Sequence, residues 1–367
     1  MDFTVERTDF PSAIHKNIYF TARCVTPLEY SLPGVEDEAL RESCRQYHAF
    51  VMTLFSDMYD DPGAYELPVG QLEEFCCGRK INGMKQKYPG KAKSVLAQMR
   101  NSVHGYLYLL CILGKNGELH GEVLTIPPEA MAEAKKRVNT SVSPIPLEKR
   151  LRALERIGLA KTEDGFVSTH YPSMFPAMCG LAAKGEKYSG FDFFNFCNAD
   201  FRNLATKYKP SYEDYFRPLP RELRERAIDL HGFALENKLR PVIGTFWKVE
   251  YKYRGVQVMC IGSAGDCESK LDVRITCTYS WDDPALINDR LAAQPAEFRQ
   301  YALRHVHRCN ACSTNHLGRF VTVLGKRQRV CGGGVIGFRW GNPSDGDMEC
   351  IRKIIELRRE IIDEIKA

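Results

Sequence analysis

The apolar residues of this chain change period along its length. Leu40, Cys44, Tyr47, Val51 and Leu54 recur at helical spacing, whereas Trp247, Val249, Tyr251 and Tyr253 alternate with Lys248, Glu250 and Lys252. A period near 3.6 buries one stripe of a helix, and a period of 2 buries one face of a strand. Helical patterns gathered ahead of alternating ones predict an α+β chain. At 367 residues the chain also exceeds the roughly 250–300 residues at which a single core stops growing. An α+β multidomain protein is therefore expected.

Three regions separate by pattern. Residues 1–90 read as a helical N-terminal region, with a helix from Glu36 to Met58 stopped by Asp60-Asp61-Pro62-Gly63. Residues 91–205 carry helices over 92–113 and 129–138 and a third that begins near Pro146, a favoured first-turn residue. Residues 206–367 read as an α/β domain: a helix from Arg221, a run of antiparallel strands from Trp247 turned by Arg254-Gly255, and a closing helix from about Asp345. Ser344 and Asp347 have the spacing of a capping box at its start.

Composition excludes several classes. Fifty-one basic and 46 acidic residues leave a net charge of +5, too mild to argue for nucleic acid by itself. The opening MDFTVERTDF is charged at once and has no apolar h-region. No uncharged run approaches the roughly 20 residues that span a bilayer, so no membrane partner is expected and a cytoplasmic location is. In that compartment the 14 cysteines read as thiols or metal ligands rather than disulfides.

One segment of the middle region, LEKRLRALERIGLAKTEDGFV, starts at Leu147. It reads as a helix with Leu147, Leu151 and Leu154 on its apolar face, ended by Gly158. Two short strands follow, Leu159-Ala160-Lys161 and Phe166-Val167-Ser168, around an Asp-Gly hairpin signal. This order resembles the recognition helix and wing of the winged helix-turn-helix family, over about residues 92–172. On a helical wheel Lys149, Arg152 and Arg156 cluster opposite the leucines, and Lys161 lies in the wing. The resemblance implies that these four side chains meet double-stranded DNA in the major groove and along its backbone. Glu148 and Glu155 dilute the basic stripe, and many winged helices contact a protein partner instead.

A second segment has the spacing Cys309-x2-Cys312-x3-His316-x14-Cys331. Two cysteines separated by two residues can place both sulfurs on one tetrahedral metal. A strand from Arg319 to Leu324, a turn at Gly325-Lys326 and a return through Arg329 would bring Cys331 back beside them. Cys309, Cys312, His316 and Cys331 then make a structural zinc set, with His305 and His307 as alternatives for the fourth ligand. The segment resembles a zinc knuckle with a following hairpin, as in zinc-ribbon proteins, but supplies one cysteine where those carry a second pair. A redox pair would need a strand-to-helix setting, and a catalytic zinc would need an open position and a nearby acid or base.

No Asp or Glu stands between Phe298 and Ser344, while Arg299, Arg304, Arg308, Arg319, Lys326, Arg327, Arg329 and Arg339 do. Such a window favours thiolate ligands or an anionic partner. The aromatic run Phe191 to Phe196 lacks interleaved cations and reads as packing. The whole order resembles uncharacterised bacterial proteins that join a winged-helix-like segment to an α/β domain bearing a cysteine cluster. The expectation is a zinc-containing DNA-binding or regulatory protein, with DNA, a protein or a small anionic ligand as partner. The alternatives are an enzyme with a pocket between the second and third regions, or an interaction module.

Overall fold

The computed structural model describes residues 1–32, 34–69, 79–81, 84–86, 89–138, 145–185, 191–205, 210–243, 248–264, 269–276, 284–307, 319–330 and 337–367. They form two compact units, one of residues 1–209 and one of residues 210–265 with 269–367. The chain is a mixed α+β protein whose sheets are antiparallel. Among the described residues, no helix is long and apolar enough to cross a membrane.

The first unit is built on helices Ala13–Ala22, Glu38–Asp60, Pro89–Asn116 and Phe175–Ala182, which pack on one another. Helix Glu38–Asp60 starts two residues later than its periodicity suggests because Asp37 caps it. The Asp37 carboxylate accepts from the backbone N–H groups of Ala39 at 2.8 Å and Leu40 at 3.2 Å. Those donors have no partner inside the helix, so the cap fixes the start. The stripe read from the sequence is buried: Cys44, Tyr47, Val51 and Leu54, joined by Phe50, Phe55 and Met58. Each large apolar side chain so buried contributes about 1.5–3 kcal/mol relative to exposure. One hydrophobic core runs from Phe3 to Phe201, so residues on both sides of position 90 share it.

A small sheet closes one side of this unit. Its strand order is Glu118–His120, Val123–Thr125, Phe166–Ser168, Leu159–Lys161, every pair antiparallel. Helices Pro128–Val138 and Leu147–Glu155 lie between its second and third strands in sequence. Gly158 takes φ +92°, which lets the chain leave helix Leu147–Glu155 and enter Leu159–Lys161 directly.

The second unit holds a five-stranded antiparallel sheet in the order Gly337–Gly341, Ser269–Thr276, Val256–Ala264, Lys248–Tyr253, Arg240–Ile243. Helices Arg221–Glu236 and Asp345–Ile365 pack against it. Val249, Tyr251, Ile261, Val273 and Trp340 are buried, as alternation on a half-covered sheet requires. Ser344 and Asp347 form the capping box of the closing helix, each bonding the other's backbone N–H. A separate hairpin, Arg319–Val323 with Lys326–Val330, turns at Leu324 and Gly325. The turn sits one residue earlier than Gly325-Lys326 because both central residues have positive φ, 49° and 75°, as a tight I′-type hairpin needs.

Candidate functional site

The helix and wing come first. Helix Leu147–Glu155 buries Leu147, Arg150, Ala153 and Leu154, while Lys149, Arg152, Arg156 and Lys161 are exposed. Two of these four cations are matched by acids from far along the chain. Lys149 Nζ lies 2.8 Å from Glu66 Oε1. Arg156 lies 3.1 Å from Asp57 Oδ2 and 3.3 Å from Asp61 Oδ2. Glu148 pairs with Lys135 at 2.8 Å, and the wing tip carries exposed Glu163 and Asp164. The stripe that is basic on a wheel is therefore close to neutral in space. No signal in the sequence links Asp57, Asp61 and Glu66 to this helix, since the pairing is made by the packing of the first unit.

Arg150 is different in kind. It is fully buried, donates from Nη1 to the Ser102 carbonyl at 3.0 Å, and lies 4.6 Å from the Tyr106 ring centroid. Its sequence position, three after Leu147 and four before Leu154, is that of the apolar stripe.

The four residues expected to hold zinc, Cys309, Cys312, His316 and Cys331, lie outside the described residues. Their anchors are described. Val306 forms a bridge with Phe338, and the His307 N–H donates to the Gly337 carbonyl at 2.7 Å. Arg319 pairs with Val330 across the hairpin. The two chain segments that carry the cysteines thus begin and end at the same two anchor pairs. His305 is engaged elsewhere: its ring stacks between Tyr301 at 4.7 Å and Trp340 at 5.2 Å, and Nε2 is 3.8 Å from Asp347. Burial lowers its pKa. Among the described residues, no group of three or more His, Cys, Asp and Glu side chains is placed to hold a metal ion.

On the second unit's sheet, Glu250, Cys260, Arg274 and Arg339 stand side by side across four strands. Asp272 is buried beside them. It accepts from Arg274 Nε at 2.8 Å and from Arg339 Nε at 2.7 Å. Burial alone would raise the Asp272 pKa, but the hydrogen bond from Arg339 and the charges of both arginines win and hold it below its ordinary value. This triad braces neighbouring strands and consumes part of the acid-free window's charge. His307 faces the same group, and its pKa is lowered by burial and then by Arg339 and Arg274.

The remaining sequence candidates are packing residues. Phe193 and Phe196 of the aromatic run are buried in the first unit's core. His231 is buried, bonded through Nδ1 to the Tyr251 hydroxyl at 2.8 Å and stacked on Tyr212. Burial pushes the thiols of Cys44, Cys111 and Cys350 up to about 12 and those of Cys179 and Cys260 to about 11, and it raises that of Cys197 well above its ordinary value. A thiol that does not ionise is a poor nucleophile and a poor ligand. No protein-family model, no curated protein and no solved structure matches this chain.

Proposed function

We propose that this chain is a two-unit regulatory protein whose helix and wing contact a protein partner, and whose second unit carries a structural zinc on Cys309, Cys312, His316 and Cys331. The observation that carries the partner reading is the charge balance of the helix face. Lys149 and Arg156 are matched by Glu66, Asp57 and Asp61. A duplex binder draws its affinity from unmatched cations that displace counterions from phosphates. Of the four cations only Arg152 and Lys161 face solvent with no acid against them among the described residues, and the acidic wing tip opposes a phosphate backbone. A mixed-charge exposed helix suits the polar rim of a protein interface.

The zinc part is supported by the ligand spacing and by the shared anchors of the two cysteine-bearing segments. Zinc bound there would supply folding energy and fix the hairpin to the sheet.

Two measurements test the reading. Titration of a labelled DNA duplex at low salt is expected to show no binding, while Arg152→Glu with Lys161→Glu releases a protein that the wild type retains from its source extract. Duplex binding that disappears in Arg152→Ala with Lys161→Ala hands the segment to DNA instead. Elemental analysis of the reduced protein is expected to give about one zinc per chain, lost in Cys309→Ser with Cys312→Ser. Zinc absent from the wild type removes that half of the proposal.

A further inference from the structure

Hairpin Arg319–Val323 with Lys326–Val330 has two unlike faces. Val321, Val323 and Gln328 are buried. On the other face Phe320, Thr322 and Arg327 are exposed, Phe320 to 54%, while Lys326 is exposed opposite Val323 at the turn. The Phe320 ring is therefore open to contact on this face. The Arg327 guanidinium covers part of it, with Cζ 4.1 Å from the ring centroid. Arg329 stands opposite Phe320 in the register and Arg327 opposite Thr322.

The hairpin is held rigidly at its far end. Asn288 donates through Nδ2 to the Thr322 carbonyl at 2.8 Å and accepts through Oδ1 from the Leu324 N–H at 3.0 Å. These bonds pin the strand that carries Phe320 to helix Pro284–Ala292. A preorganised aromatic loses little freedom when a ligand stacks on it.

We infer that this face is a binding platform for single-stranded nucleic acid, with Phe320 and the plane of Arg327 stacking on bases and the Arg327 charge near the backbone. Three observations converge on that occupant. The platform pairs an exposed ring with a stacked guanidinium, and bases stack on both surfaces. It lies in a stretch from Phe298 to Ser344 that holds eight cations and no acid, and with Arg339 matched by Asp272 the remaining excess still complements a polyanion. Phe320, Thr322 and Arg327 share one face of a two-stranded ribbon, a compact surface that suits splayed bases more than a continuous duplex backbone. Phe193 and Phe196 of the aromatic run, by contrast, are buried in the core. The inference goes beyond the proposed function and does not depend on what the helix and wing contact.

The experiment is fluorescence anisotropy of the full chain with a labelled single strand of about 12 nucleotides and with the duplex of the same sequence, over a range of salt. The single strand is expected to bind in a salt-dependent way and more tightly than the duplex. Phe320→Ala weakens it about tenfold or more, Phe320→Tyr restores it, and Arg327→Ala weakens it and lowers the salt slope by about one. Phe320 is exposed, so the thermal midpoint of Phe320→Ala stays near that of the wild type, which separates lost stacking from lost folding. Absence of single-strand binding overturns the inference. So does binding that Phe320→Ala leaves intact, or a duplex affinity equal to that for the single strand, since either reduces the face to a basic patch or gives it to another partner.

Discussion

Gly105 and Arg150 show what a single atom decides in this fold. A β-carbon at position 105 would stand 2.6 Å from Arg150 Nη2 and 2.7 Å from Cζ, so the helix admits the buried guanidinium only through a residue with no side chain. Gly105→Ala is expected to destabilise the first unit by roughly 1–3 kcal/mol through overpacking. The check is a urea titration in which the midpoint falls while the slope stays the same. An unchanged midpoint would mean that Arg150 relocates at no cost. Half of this arrangement was legible in the sequence. Arg150 occupies an apolar-stripe position between Leu147 and Leu154, which is a signal that a charged residue goes inward. Its partner was not legible, because nothing local ties a helix residue near 150 to a glycine near 105.

Elements were the best-read level, and the reason is that their determinants are local. The strands Leu159–Lys161 and Phe166–Ser168 begin and end where the hairpin signal puts them. The long N-terminal helix is displaced by two residues at its start because a cap outranks periodicity there. That gives a direct test of the cap. Asp37→Ala is expected to cost about 1 kcal/mol and Asp37→Asn much less, since asparagine caps as well as aspartate. Calorimetry of the three proteins reads the difference, and equal midpoints for Ala and wild type would assign the helix start to packing alone. The hairpin at Leu324 was placed one residue late for a similar reason. Leucine is rare at positive φ, so Gly325-Lys326 looked like the turn. The exposure of Phe320 was not legible, because an aromatic in an alternating strand reads as core until its neighbours are known.

At the scale of the molecule, the sequence patterns separate regions without saying which faces meet. Residues 1–90 and 91–205 differ in pattern yet share one core, because apolar stripes on helices from both regions face each other. The acids that neutralise the helix face were not legible, because only the packing of the first unit brings them there, and the zinc proposal rests on spacing. Folding also ties the histidines together. His48, His104, His231, His305 and His307 all have lowered pKa values, each mainly through burial, His104 to about 4. A histidine near 6.5 when unfolded and lower when folded takes up its proton first in the unfolded chain. Its contribution is complete above about 6.5 and is lost as pH falls toward the folded value, at up to about 1.4 kcal/mol per unit. Asp272, whose pKa is lowered against its burial by its two arginines, adds to the fall only at the acid end of that window, where the unfolded carboxyl begins to take up protons. Melting temperature is therefore expected to drop between pH 6.5 and 4, less steeply in His104→Gln; parallel curves for the two proteins would remove His104 from the account. The silent thiols have a use of their own. Cys44 and Cys111 in the first unit and Cys350 in the second are buried. Each becomes alkylatable only when its own surroundings open, so a timed pulse of iodoacetamide followed by peptide mass spectrometry times the opening of either half of the molecule without a probe being added.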